Sequence, residues 1–212
     1  GRMVEVQQIL STLNTPGQHV LLFGDRGVGK SSLANVTSSK LIKIAGKELV
    51  IKRCSKSDSF SSIFENVLIK CGIDISVQTK SMSGSLSVNG FGYQECTERK
   101  GFSDKVQSPS WVCDKVKDFN ILLLVDEFDS IQNKDDKHKV AEVIKLLSDS
   151  NSSFKIFVVG IAESADELTA GHPSVQRCLK EIKLSKMSNR ELVDIINSGS
   201  AKLKLNFTRD AK

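Results

Sequence analysis

Two short stretches of this chain carry residue types that handle phosphate when they meet. Residues 24–31 read Gly24-Asp25-Arg26-Gly27-Val28-Gly29-Lys30-Ser31, which fits G-x-x-x-x-G-K-[ST] at every fixed position. Glycines let a backbone curl until its N–H groups point at phosphate oxygens. A helix beginning at the end of such a loop adds partial positive charge on the same target. Lys30 is placed to reach the β- and γ-phosphates of a nucleotide, and the Ser31 hydroxyl to ligate Mg²⁺. The expected phosphate cradle is therefore Gly24 to Ser32, with Asp25, Arg26 and Val28 between the fixed positions. The second stretch, 121–127, reads Ile-Leu-Leu-Leu-Val-Asp-Glu. Asp126 is expected to hold the magnesium through water, and Glu127 to polarise an attacking water as general base. Asp129 reads as a solvated loop acid.

These groups need elements to aim them. Val20-Leu21-Leu22-Phe23 before the glycine loop and Ile121 to Val125 before the acids are apolar runs of the kind buried on both faces of a parallel sheet. The coarse reading places helices at 3–14, 30–44, 59–71, 111–116, 139–147 and 189–203. Strands fall at 20–23, 49–52, 121–125, 154–159 and 181–184. Alternating strands and helices specify a parallel α/β sheet with right-handed crossovers. Asn14-Thr15-Pro16-Gly17 ends the first helix and Gly72 caps the third. Between 76 and 108 the sequence turns Ser/Gly-rich with weak period-two alternation. It reads either as a β-hairpin turning at Asn89-Gly90 or as a mobile insertion.

At 212 residues, 39% hydrophobic and 26% charged, the chain has the composition of a globular domain large enough for a real core. Its net charge of +5 is spread along the chain, which permits nucleic-acid contact without arguing for it. Cys54, Cys71, Cys96, Cys113 and Cys178 lack C-x-x-C spacing and read as free thiols of a reducing compartment. No apolar run approaches the roughly eighteen residues of a membrane span, so the expected location is cytoplasmic, or nuclear in a eukaryote. Asn133-Lys134-Asp135-Asp136 spells the guanine-reading N-K-x-D. It follows no apolar strand directly, and it reads as an acidic-basic loop. His172 reads as a loop or cap residue, since three histidines make no metal set.

The chain as a whole resembles an AAA+ ATPase, in the broad group that includes origin-recognition proteins and STAND-type signalling ATPases. Beyond the two phosphate-handling motifs, Gly1-Arg2 followed by Glu5 is similar to the G-R-x-x-E opening of that group, which implies that Arg2 lies beside the adenine. Gly160-Ile161-Ala162-Glu163-Ser164 stands where the family carries sensor 1, which implies that role for Ser164. His172 to Arg177 stands where it carries an arginine finger, which implies that Arg177 acts on the nucleotide of a neighbouring subunit. Leu184 to Ser188, with Glu191-Leu192 and Ile195-Ile196, is similar to the start of the helical lid.

The resemblance implies a three-layer P-loop fold with a five-stranded parallel sheet in the order 5-1-4-3-2. The loop and the acids are then expected at the carboxyl ends of adjacent strands. It divides the chain into a nucleotide-binding domain, 1–184, with an insertion at about 76–108, and a truncated lid, 185–212, in which no sensor-2 arginine can be assigned. The chain reads as a domain excised from a longer protein. The implied activity is ATP binding and hydrolysis with Mg²⁺, serving as a nucleotide-dependent switch or self-associating module of a signalling or defence protein. A DNA-transaction ATPase, with DNA bound through regions outside this chain, is one alternative. An inactive nucleotide-holding scaffold is the other, and intact Lys30, Ser31, Asp126 and Glu127 argue against it.

Overall fold

The computed structural model describes residues 2–87, 90–102, 104–161, 167–168 and 174–203, and leaves the side chains of Ile44 and of residues 76–105 outside that description. Helix α1 (Met3–Asn14) leads to β1 (His19–Phe23), the glycine loop and α2 (Lys30–Ala45). Then come β2 (Glu48–Arg53), α3 (Phe60–Lys70) and the strands β3 (Ser76–Ser87) and β4 (Gly90–Phe102). Helix α4 (Pro109–Val116) precedes β5 (Ile121–Asp126), α5 (Lys134–Asp149) and β6 (Lys155–Gly160). Strand β7 (Leu179–Lys183) and helix α6 (Asn189–Leu203) follow.

The main sheet is five-stranded and parallel, in the order β2-β5-β6-β1-β7. In chain order of its strands this is the expected 5-1-4-3-2, read from the other edge. One expectation fails, however. The loop-bearing β1 and the acid-bearing β5 are not adjacent, because β6 pairs with both and lies between them. The site therefore spans three strand ends, with β6 as its floor.

Alternation along the strands builds the layers, since successive side chains point to opposite faces. Val20, Leu22, Leu122, Leu124, Phe157 and Val159 join Ile9 and Leu13 of α1 and Leu33 and Leu41 of α2 in one core cluster. Leu21, Leu123, Val125, Ile156 and Val158 join Phe64 and Val67 of α3, Val112 of α4 and Val140 and Ile144 of α5 in the other. Strands β5 and β6 are buried along their whole length, as a doubly covered parallel strand must be.

Strands β3 and β4 pair with each other in an antiparallel two-stranded sheet of their own, so the hairpin reading holds for 76–102, while Asp104–Gln107 form a 3₁₀ turn. Its expected Asn89-Gly90 turn lies partly outside the described residues. Helix α5 begins at Lys134, five residues earlier than its apolar pattern indicates. Asn133 caps it, its Oδ1 accepting from the Asp135 N–H at 2.9 Å, and Asp135 and Asp136 fill the first turn, where the helix dipole favours acids. The N-K-x-D stretch is thus a helix start rather than a loop.

Candidate nucleotide-binding site

The glycine loop closes over the carboxyl end of β1. Gly24 stands at φ +154°, and a Cβ there would lie 2.2 Å from the Leu184 carbonyl oxygen. The Leu184 N–H also donates to the Phe23 carbonyl at 2.7 Å. The first glycine of the motif therefore lets β1 and the end of β7 touch backbone to backbone. Gly29 has the different duty of turning the chain. Its φ of +93° caps α2 and directs the helix start at the loop's interior.

Lys30 folds back over this loop, its Nζ donating to the Gly24 carbonyl at 2.9 Å and the Asp25 carbonyl at 2.7 Å. Ser31 Oγ donates to Asp126 Oδ1 at 2.9 Å, which brings the loop's hydroxyl and the β5 carboxylate to one point. Asp126 is 3% exposed and also accepts from the Glu127 N–H. Glu127 adopts φ 56°, ψ 38°, a left-handed conformation that a non-glycine residue takes at a cost of about 1–3 kcal/mol. At this turn the Glu127 side chain is half-exposed. Among these side chains is a cavity of about 410 Å³, bounded by Arg26, Gly27, Lys30 and Ser31, by the acids Asp126, Glu127 and Asp129, and by Val159 to Ile161 at the end of β6.

Arg53, which the sequence alone does not single out, joins this group from the end of β2. Its guanidinium lies 3.8 Å from Asp126 Oδ2 and 3.9 Å from Glu127 Oε1. Pairing of β2 with β5 puts Arg53 directly opposite Asp126, so the signal was the strand register, which one sequence does not display. Asp129 is engaged by Arg26 at 3.7 Å rather than simply solvated.

The remaining expected residues are dispersed. Arg2 bonds Glu5 Oε1 at 3.2 Å and the Ser185 carbonyl at 2.6 Å, tying the start of α1 to the segment after β7. Its Nε is buried without a partner. Arg177 is exposed in a short 3₁₀ turn, Val175–Arg177, at the amino-terminal end of β7, opposite the glycine loop. Ser164 and His172 lie outside the described residues. Helix α6 starts on a reciprocal cap between Ser188 and Glu191 and buries none of its residues. Among the described residues no cluster of three or more His, Cys, Asp or Glu could hold a metal by itself, and Cys54, Cys71, Cys113 and Cys178 are free thiols. No described helix is long and apolar enough to cross a membrane.

Comparison with known proteins agrees with this architecture. Solved structures similar to the chain include the Cdc6p protein of Pyrobaculum aerophilum, at TM-score 0.59 and 17% identity over 95% of this chain and 49% of that one. The ADP form of the Aeropyrum pernix ORC2 protein matches at TM-score 0.57 and 14% identity, over 94% of this chain and 51% of that one. AMPPCP-bound DnaA from Aquifex aeolicus matches at TM-score 0.57 and 14% identity, over 99% and 54%. The chain spans about half the length of these structures, and at such identities the likeness is one of fold, the AAA+ P-loop fold. No curated protein matches the chain. The family model of novel STAND NTPase 1 matches residues 1–211. The chain belongs to that family of STAND NTPases, as an AAA+ nucleotide-binding module.

Proposed function

We propose that this module binds ATP with Mg²⁺ in the cavity at the carboxyl ends of β1, β6 and β5 and hydrolyses it to ADP. The observation that carries the reading is the convergence of Lys30, Ser31, Asp126 and Glu127 there. The donor set suits Mg²⁺, which takes one or two protein oxygens and completes its shell with water and phosphate. Ser31 Oγ and Asp126 Oδ1, 2.9 Å apart, are the two oxygens that would hold it. When bound, Mg²⁺ draws off negative charge developing on the phosphoryl group.

The protein's own groups do the rest. The Gly27 to Ser32 backbone presents N–H groups to the β-phosphate. Lys30 exchanges its carbonyl acceptors for β- and γ-phosphate oxygens, a stronger charge-assisted contact. Glu127 accepts the proton of the attacking water. Arg2 borders the base through its hold on Ser185, Ser164 senses the γ-phosphate, and Arg177 completes the site of a neighbouring copy. Residues 1–184 form the catalytic domain, and residues from 185 on begin a lid. Membership in the STAND family supports a nucleotide-dependent switch or self-associating module of a signalling or defence protein.

The test is Glu127→Gln beside Lys30→Ala. The first should keep ATP binding and lose turnover, and the second should lose binding. Unchanged affinity in Lys30→Ala removes the cradle reading. Competition by GTP checks the preference for adenine.

A further inference from the structure

A second cavity, of about 290 Å³, opens at the other end of the sheet, between the α1–β1 turn and a wall that includes Lys47, Asn120, Asn151 and Lys155. Two ammonium groups are buried in that wall, Lys47 at 8% and Lys155 at 4% exposure. Lys47 Nζ donates to Asn120 Oδ1 and to the Ser153 carbonyl, both at 2.6 Å. Lys155 Nζ donates to the Thr15 carbonyl at 2.7 Å and the Gln18 carbonyl at 3.3 Å. Every one of these acceptors is neutral. An ammonium carries three hydrogens, so each lysine retains one N–H beyond these bonds. Among the described residues no carboxylate pairs with either.

Buried cations normally have a counter-charge, because removing an ion from water is expensive unless something of opposite sign replaces the water. Here the uncompensated charge is visible in the amines themselves. Burial and the neighbouring Lys47 charge push Lys155 down to about 8, and burial lowers Lys47 as well. His19, whose pKa burial and Lys155 lower to about 3, is neutral and adds no charge of its own. Asn151, at the exposed rim, holds a left-handed backbone at φ 50°.

We propose that this cavity is a binding site for a small oxyanion, a phosphate or carboxylate group, with Lys47 and Lys155 as its charge partners. The site is remote from the glycine loop and independent of it. An anion there receives the two spare N–H groups and locks the β2 approach, the α1–β1 turn and the start of β6 together.

The experiment is thermal melting of the chain against inorganic phosphate, with and without ADP, at ionic strength held constant with sodium chloride. The expected result is a saturable rise in Tm with phosphate over the chloride control, in both arms. An acetate series identifies the class: a rise with acetate as well assigns the site to oxyanions generally, and a rise with phosphate alone assigns it to phosphates. Asn151→Asp places a carboxylate at the rim on a backbone that Asp tolerates as Asn does. It should raise Tm in chloride alone and weaken phosphate by about tenfold or more, since like charges now oppose each other. Lys155→Gln should abolish the phosphate increment and keep the ADP increment. If that variant does not fold, Asn151→Asp decides. No saturable rise with either anion overturns the proposal. So does a rise that Asn151→Asp leaves unchanged, which places the phosphate in the nucleotide cradle. A missing ADP increment counts against the nucleotide reading and leaves the phosphate arm readable.

Discussion

At the carboxyl end of the sheet Lys30 donates to the Gly24 and Asp25 carbonyls, and at the amino end Lys155 donates to those of Thr15 and Gln18. The contacts are alike and their settings are not. Lys30 is partly exposed at the start of α2 beside the 410 Å³ cavity, with a non-glycine residue in left-handed backbone across from it. Lys155 is buried beside a neutral histidine and strands that are solid core. Carbonyls held by a half-exposed lysine are surrendered cheaply when phosphate arrives. Carbonyls held by a buried one cannot be surrendered without exposing an unpaired dipole. The sheet thus has one end kept adjustable and one end fixed, and substitutions should divide accordingly into losses of chemistry and losses of stability.

The sharpest break should come at the adjustable end. Glu127→Gln preserves the shape of the side chain and removes the base, so turnover should fall by about 10²- to 10⁴-fold with the fold intact. Near-identical melting curves would confirm that the loss is chemical. Wild-type turnover would show that the base lies elsewhere. Lys30→Ala should weaken ATP by about 100-fold or more, from the loss of charged hydrogen bonds to two phosphates. Equilibrium titration with a fluorescent ATP analogue measures it.

Gly24 stands at the adjustable end, yet its contact with the Leu184 backbone is one of packing rather than of chemistry. Gly24→Ala sets a methyl 2.2 Å from the Leu184 carbonyl, backbone against backbone, with no flexible side chain to yield. The expected cost is at least about 3 kcal/mol of stability, read as a lower denaturation midpoint. A variant that melts normally and only binds ATP poorly would return Gly24 to a phosphate-facing role.

The adjustable end was legible in the sequence because its residues are constrained by chemistry. Glycine, lysine, serine and paired acids at fixed spacing have few other reasons to occur together. The strands were legible because burial on both faces demands unbroken apolar runs such as Ile121 to Val125. The start of α5 was not, since Lys134 to Lys139 is polar on every face and only the Asn133 cap marks it. The expected adjacency of β1 and β5 was at odds with the expected order itself, which already sets the fourth strand between the first and the third. Arg53 was missed because register is a property of pairing, which no local pattern encodes. Lys47 and Lys155 were invisible because lysine reads as a surface residue until a structure shows what encloses it.

The fixed end should reveal itself through pH. His19 is 1% exposed, its Nδ1 accepts from the Ile156 N–H at 3.0 Å, and its Nε2 is buried without a partner. Burial, and then the charge of Lys155, lower its pKa from 6.5 to about 3. Below 6.5 the unfolded chain therefore binds a proton that the folded chain refuses. Stability from this group is complete above 6.5 and is lost as pH falls toward 3, by about 1.4 kcal/mol per pH unit. His19→Asn keeps an acceptor for Ile156 and cannot charge. Denaturant melts of both proteins from pH 7 to pH 4.5 should show the wild type losing its advantage with that slope. Parallel pH profiles would mean that His19 accepts the proton in the folded state.

Arg53 offers the smallest effect and the finest test of how adjustable the other end is. Its guanidinium is 65% exposed and reaches Asp126 and Glu127 only at 3.8 and 3.9 Å, so each pair is screened by water and salt. It nevertheless opposes the binding of a cation at Asp126, because it occupies part of the carboxylate's field. Arg53→Ala should lower the Mg²⁺ concentration for half-maximal turnover by about two- to threefold at low ionic strength, the size of an exposed ion pair. The gain should shrink as salt rises. A tenfold fall in turnover at saturating Mg²⁺ would contradict this, and would place Arg53 on the nucleotide itself once the site is filled. A change independent of salt would mean that Arg53 acts by holding the Glu127 backbone in its left-handed turn, and the strained residue would then depend on β2 as much as on β5.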